Sequence, residues 1–384
     1  MVTMQAMKNV YDHLTKNDVF FQTPTKTIVS ENQTMVDVTG VQGMMQLNKR
    51  LVEQLDAQTD AMIVGAIPFD ESKAAAIHVL RDYAVVQSDA SNQIPYPKVD
   101  LHVEDITSYP TKEQFERMVA GAVATIQKQD LKKIVLARTL EIKASNVPHH
   151  AILHYLATHN PKGYTYAIPL ENDEILLGAS PELLVKKIGN RVIANPIAGS
   201  RKRTYDAVKD AESVADLQHA AKDLHEHKIV VDMVRKTLAP FTKHLHVPSE
   251  PSILYTDSMI HLSTVVTGEL IDASVTSLEL ANALHPTPAV CGQPREAAFE
   301  AITAIEPFER GYFTGVVGYM DASGDGEWVV TIRCGKVHAT GLTLYAGAGI
   351  VASSIPEEEA CETGAKFQTM LNALQEDVLK KGAF

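Results

Sequence analysis

The last third of this 384-residue chain sets three apolar, strand-like runs in succession, Arg310–Met320, Gly326–Arg333 and Leu342–Gly347, before a terminal helical pattern begins near Pro356. The same grouping occurs upstream. Strands are expected at Lys133–Ile142, Tyr164–Pro169, Glu174–Gly178 and Leu183–Lys187, with shorter ones at Ala61–Ile67 and Ala84–Gln87. Helical spacing is confined to a few blocks. It starts at Thr111, where Phe115, Met118, Val119, Ala122, Val123 and Ile126 repeat, and recurs at His150–Ala157, from Asp206 to about Leu238, near Thr276–Ala283, and from Pro356 to about Lys380. A helix start is read at Thr111, and Ser354 with Glu357 has capping-box spacing. Strands that come in runs, rather than alternating with helices, favour an α+β fold with antiparallel sheets over a doubly wound parallel sheet.

Residues 1–105 form a more weakly patterned N-terminal part, with a polar, proline-containing stretch at Asn92–Pro97, and residues 106–384 carry the stronger patterns. No boundary near 105 is sharp enough to cut the chain, so one integrated domain is expected. Thirty-five Lys and Arg against 47 Asp and Glu give a net charge of −12. That sign argues against a nucleic-acid surface, and an anionic substrate would need a local basic pocket. The three cysteines, Cys291, Cys334 and Cys361, fit neither a disulfide framework nor a zinc spacing. The N-terminus lacks a signal-peptide pattern and no window reaches eighteen uninterrupted apolar residues, so a soluble cytoplasmic protein is expected.

Between Gly326 and Lys366 a chemistry takes shape. Arg333 stands near a strand end, Gly347-Ala348-Gly349 reads as a small-residue turn exposing backbone N–H groups, and Glu358, Glu359, Glu362 and Lys366 open the last helix. Glu359, Glu362 and Lys366 follow i, i+3, i+7 spacing and share a face. A fixed cation, free N–H groups and clustered carboxylates are the parts that hold a small polyanion beside a hard metal ion. Acids favoured by the dipole of a first turn are the bland alternative. A dinucleotide-binding turn is disfavoured, because the third glycine and the following helix are missing.

Three further positions have two readings each. Lys133 opens an apolar strand, either snorkelling to solvent or desolvated and able to act as a general base. Glu182, between two apolar runs, is either an exposed turn residue or a buried carboxyl that can serve as a general acid. His225 and His227 flank Glu226 on a charged helix. Two apart, the histidines face different sides and make a poor zinc pair, while Glu226 suits Mg²⁺ as one carboxylate ligand.

Eight motifs then occur in order: Lys133-Ile-Val-Leu-Ala-Arg138, Leu177-Gly-Ala-Ser-Pro-Glu182, Asn195-Pro-Ile-Ala198-Gly-Ser200, His225-Glu226-His227, His285-Pro-Thr-Pro288, Gly326-Glu-Trp-Val-Val-Thr-Ile-Arg333, Ala346-Gly347-Ala-Gly-Ile-Val351 and Glu362-Thr-Gly-Ala-Lys366. From about residue 110 onward the chain resembles the chorismate-utilising enzymes, and among their branches the siderophore-type isochorismate synthases. The resemblance implies a single large fold with two mainly antiparallel sheets flanked by helices and a deep active-site cleft. It implies chorismate, a dicarboxylate, as substrate and Mg²⁺ as cofactor. Glu226 and Glu362 are the implied metal carboxylates, with Glu359 nearby or bridging through water. Arg333 would pair with the enolpyruvyl carboxylate, helped by Tyr345 and the Gly347 backbone, and Gly199, Ser200, His261, Ala289 and Lys366 would line the rest.

Within that resemblance, the product depends on a few positions. Aminodeoxychorismate synthase has a nucleophilic Lys where this chain has Ala198, and anthranilate synthase has Gln in place of Lys133. With Lys133 as general base and Glu182 as general acid, the implied reaction adds water at C2 of chorismate with loss of the C4 hydroxyl, giving isochorismate. Members that go on to eliminate pyruvate have Thr where this chain has Ala289, which disfavours salicylate synthase as the alternative. Isochorismate for menaquinone is the other alternative to the siderophore branch. The resemblance further implies no glutamine amidotransferase partner, no nucleic-acid or membrane partner, and a monomer.

Overall fold

The computed structural model describes residues 10–374 apart from 12–13, 31–32, 40, 57–59, 88–98, 100 and 129. The Asn92–Pro97 stretch and the last residues of the expected terminal helix lie outside the described residues. Two large antiparallel sheets stack face to face. One has ten strands and includes Val19–Gln22, Tyr164–Pro169, Ile175–Ser180, Cys334–His338, Gly341–Ile350 and Lys133–Ala144 in neighbouring order. The other has nine and includes Val266–Leu270, Arg191–Asn195, Leu183–Ile188, Gly326–Val330, Val316–Asp321, Met62–Ile67 and Ala76–Leu80. Strands that precede residue 105 therefore sit inside both sheets.

The inner faces of the sheets meet in a core that pairs Phe21, Ile28, Tyr166, Ile168 and Leu176 with Val64, Ala66, Leu80, Val317 and Val329. Outside the ten-stranded sheet, the helices His149–His159 and Pro356–Leu374 cover Leu140, Ile142, Leu342, Leu344 and Ala346. Outside the nine-stranded sheet, the helices Gly43–Asp56, Ala221–Leu238 and Ser277–Leu284 cover Val185, Val192, Val330 and the fully buried Trp328. Each sheet is thus buried on both faces, which explains why its central strands read as continuous apolar runs.

A third sheet was not expected. Ile197–Lys202, Met259–Ser263 and Ser252–Tyr255 form a small antiparallel unit beside the two large ones. The Ala207–His219 and Ala221–Leu238 helices pack against its Ile197–Lys202 strand.

Several sequence expectations need correction. The block Asp206–Leu238 is two helices, broken at Ala220, whose backbone is extended (φ −70°, ψ 104°). Gly347-Ala348-Gly349 is no turn: it lies inside Gly341–Ile350, which runs from Gly341 opposite Lys143 to Ile350 opposite Ile134. The strand expected from Arg310 begins only at Val316, after a turn, and the Gly326 strand stops at Val330. Arg333 therefore stands between two strands, in the left-handed region at φ 51°. Thr111 and Gln114 form a capping box. Ser354 instead accepts a bond from the Val351 N–H and bonds to Glu359.

Candidate active site

A solvent-open cleft of about 680 Å³ lies where the small sheet meets the ends of the two large ones. Glu182 reaches it from the start of the Leu183–Ile188 strand, Arg333 from the inter-strand junction, and Tyr345 and Gly347 from the Gly341–Ile350 strand. The small sheet contributes Ala198, Gly199, Ser200 and His261, and a loop contributes Ala289. Two helices supply Glu226, Glu362 and Lys366. The predicted residues missing from the wall are Lys133 and Glu359, which lie just behind it.

Each predicted metal carboxylate is held by a lysine. Lys133 is completely buried, with its Nζ 2.7 Å from Glu226 Oε1. This is an ion pair without the alignment of a hydrogen bond, and the ammonium has no hydrogen-bond partner among the described residues. Lys366 contacts Glu362 Oε1 at 2.6 Å, one helical turn away, and donates to the Gly347 carbonyl at 2.8 Å. Lys222 holds Glu359 Oε1 at 2.6 Å, and only 1% of Glu359 is exposed. Burial raises the Glu359 carboxyl, and the Glu362 charge raises it further. Burial would raise Glu362 too, but Lys366, Lys222 and Arg333 outweigh it and hold that carboxyl below the usual range.

Glu182 behaves differently. Burial pushes its carboxyl up to about 8, overcoming Lys133, a bond from the Ile197 backbone, Arg333 and Lys366, all of which favour the charged form. Its backbone is fixed on both sides: its N–H donates to Ser180 Oγ at 3.2 Å and its carbonyl accepts from the Val330 N–H at 3.1 Å. The result is a rigid carboxylic acid that still holds its proton near neutral pH.

Arg333 and Lys366 give the same cleft a cationic stretch that acts on Glu182. Arg333 is 7% exposed, burial pushes its guanidinium down to about 10, and no carboxylate lies within ion-pair distance among the described residues. His261 is kept neutral by burial and by Arg333 and Lys366, with one ring atom bonded to the Gly199 backbone and Nε2 unpartnered. Gly199 adopts φ +79°, and a Cβ there would sit 3.0 Å from Asp223 Cβ. A compact dianion would find donors here and no competing carboxylate partner on Arg333.

Glu226 and Glu362 supply two hard oxygen donors facing one cleft, the set Mg²⁺ takes when substrate and water complete its shell. Among the described residues no group of three or more His, Cys, Asp or Glu is arranged as a closed metal site. Two carboxylates alone would leave most of a Mg²⁺ shell to substrate and water. His227 turns away, with Nε2 2.7 Å from Thr264 Oγ1, and burial pushes it down to about 4.

Sequence reasoning missed Phe313 and Thr314 in the cleft wall. Phe313 stacks on Tyr345 with ring centroids 5.3 Å apart, and Thr314 lies at φ 62°. The signal was present in the flanking Gly311 and Gly315, which break the apolar run that was taken for strand.

This fold and cleft place the chain in the chorismate binding enzyme family, whose model matches residues 30–375. The chain is 44% identical to isochorismate synthase DhbC of Bacillus subtilis over 375 residues, covering 93% of this chain and 94% of that one. It is 42% identical to the vibriobactin-specific isochorismate synthase of Vibrio cholerae, covering 85% and 82%. Among solved structures, the Bacillus anthracis protein assigned as a 2,3-dihydroxybenzoate-specific isochorismate synthase, DhbC, superposes with a TM-score of 0.89 at 42% identity, covering 96% of this chain and 99% of that one.

Proposed function

We propose that this protein is an isochorismate synthase that converts chorismate to isochorismate for 2,3-dihydroxybenzoate siderophore synthesis. The observation that carries the reading is one cleft lined by a buried Glu182 and by Glu226, with the undersatisfied Lys133 ammonium paired to Glu226 just behind the wall. The reaction needs both Glu182 and Lys133. A C2–O bond forms to water, the ring double bonds shift, and the C4–O bond breaks, so that one water enters and one leaves. As a neutral amine Lys133 takes a proton from the attacking water and becomes the ammonium, and Glu182 gives its proton to the departing C4 oxygen and becomes the carboxylate.

Arg333, with no carboxylate partner, is available to the enolpyruvyl carboxylate, and the neutral His261 and the Gly347 backbone fix the ligand's orientation. Ala198 and Ala289 leave apolar space and offer no nucleophile, so water is the attacking group. Glu226 and Glu362, with Glu359 behind them, would hold Mg²⁺. When bound, that ion neutralises the ring carboxylate, which raises the electrophilicity of the ring.

The test is product chromatography of purified protein with chorismate and Mg²⁺. Isochorismate is expected without pyruvate. Salicylate with pyruvate, anthranilate from added ammonia, or an aminodeoxy product would overturn the reading.

A further inference from the structure

The strand glycine Gly349 does none of the jobs its sequence suggested, since it neither makes a turn nor stands at a helix start. It lies in the Gly341–Ile350 strand opposite Val135, with one face toward the cleft. The space where its Cβ would stand is already taken. Glu226 Oε1 occupies it at clash distance, with Glu226 Cδ 3.1 Å and Lys133 Cε 2.9 Å away. The two groups that form the Lys133–Glu226 contact therefore meet directly over this hydrogen-only position.

We infer that Gly349 is a positioning residue, whose missing side chain creates the slot in which Glu226 reaches the Lys133 ammonium. The neighbouring glycine provides a contrast. At Gly347 a Cβ would meet backbone and short side chains at ordinary or slightly tight distances, with Leu136 O at 3.1 Å and Ala137 Cβ at 3.4 Å. Only at Gly349 does the obstruction come from the pair itself. The atoms in the way are the far ends of two flexible side chains, so an added methyl group shifts them without displacing the strand. Substitution there separates geometry from fold. It should spare stability and, at saturating Mg²⁺, substrate affinity, while moving the carboxylate and amine by about an ångström, a displacement that costs on the order of 100-fold in rate.

The experiment is Gly349→Ala, read in three ways. Its melting temperature is expected within a few degrees of wild type. At saturating Mg²⁺, chorismate KM is expected within about threefold, with kcat lowered about 100-fold. Reductive methylation of Lys133 by formaldehyde and borohydride, followed by peptide mass spectrometry, is expected to rise several-fold once Glu226 no longer caps the ammonium. A kcat within twofold of wild type, or unchanged Lys133 labelling, overturns the inference. The kinetic arm rests on the isochorismate synthase reading, whereas the labelling arm does not. A wild type inert to chorismate would sink that reading and leave the labelling to decide. If the single variant fails to fold, Gly349→Ala with Glu226→Asp is the second variant, because the shorter acid withdraws from the added methyl. A double variant that also fails to fold would overturn the proposed slot.

Discussion

Arg310 and Lys133 both bury a positive charge against the same strand, each beside a glutamate, yet their surroundings differ. Arg310 grips Glu306 through two bonds of 2.8 and 2.6 Å, while the Ala137 N–H donates to Glu306 Oε1 at 2.8 Å. Its remaining donors reach the carbonyls of Val290 and Val135 and the hydroxyl of Thr314, and its guanidinium lies 4.6 Å from the Phe69 ring centre. Lys133 has one unaligned contact to Glu226. Hydrogen bonds offset the desolvation of the first pair, which fixes three segments of the cleft wall, Val135, Val290 and Thr314. The second pair keeps its desolvation uncompensated and can exchange partners. The first builds the cleft wall, and the second is the pair to which the proposed function gives the chemistry.

The most severe way to break this comparison is to remove Lys133. Lys133→Ala should lose as much as ~10⁴-fold in kcat, the upper range for a positioned base. Because the ammonium contributes one contact and Glu226 reaches the cleft, the melting temperature should change little. Isochorismate formation within tenfold of wild type would remove Lys133 from the chemistry.

Arg310 should show the reverse pattern. Arg310→Met leaves Glu306 buried without its partner and is expected to destabilise the fold by about 3–5 kcal/mol, measured by urea unfolding. Adding Glu306→Leu should recover part of that loss, since an apolar pair avoids the stranded charge. If Arg310→Met kept full stability but lost turnover, the two pairs would have to exchange roles.

How far the sequence carried these conclusions depended on whether the deciding force was local. The strand from Lys133 was legible because both its faces are covered, leaving an unbroken apolar run, and the Thr111 helix because its cap lies within four residues. Thr242–His246, reading Thr-Lys-His-Leu-His, became a strand only through pairing with Val266–Leu270, a contact no local pattern announces. The break at Ala220 has no Gly or Pro to mark it, and is set where two helices dock against one small sheet. Glycines misled in the other direction: Gly347 and Gly349 suggest a turn, but both lie inside a strand, and at Gly349 the ends of Glu226 and Lys133 fill the space of a side chain. Residue type and spacing picked out Lys133, Glu182, Glu226, Arg333 and Glu362, while motif resemblance supplied their roles and the rest of the site. The lysine partners of Glu226 and Glu359 were invisible, because those pairs join distant parts of the chain, Lys222 and Glu359 being 137 positions apart, whereas Lys366 stands one helical turn from Glu362.

Glu182 sharpens the comparison from the acid side. Its folded value of about 8 stands above the ordinary 4.5, so between those values the native state holds a proton that the unfolded chain has released. Its stabilising contribution is full below about pH 4.5 and is lost as pH rises through about 8. In the proposed reaction the same proton is given to the leaving oxygen, so kcat should fall about tenfold per pH unit above about 8. Glu182→Gln should flatten the decline of melting temperature between pH 5 and 8 and lower kcat by about 10²-fold. An unchanged slope would show that the carboxyl is ionised in the folded state.

Glu359 should give the smallest effect, because it is intermediate between the two kinds of pair. It is as buried as Glu306, but its lysine comes from the neighbouring helix, with Lys222 30% exposed. Ser354 also bonds to its carboxylate, so it has two partners where Glu226 has one. A carboxylate held in this way, outside the cleft wall and beside Glu362, can tune the metal carboxylates without replacing either. Glu359→Gln keeps the shape and removes the charge, so Lys222 should weaken its hold and Glu362 should lose a repulsive neighbour. The expected result is a rise of about tenfold in the Mg²⁺ concentration for half-maximal rate, the lower end for a residue behind the ligands, with kcat restored at saturating Mg²⁺. Measuring rate against Mg²⁺ for this variant beside Glu226→Gln separates the cases. Loss of kcat at every Mg²⁺ concentration in both variants would place Glu359 among the direct ligands and set it, with Glu226, on the working side of the comparison.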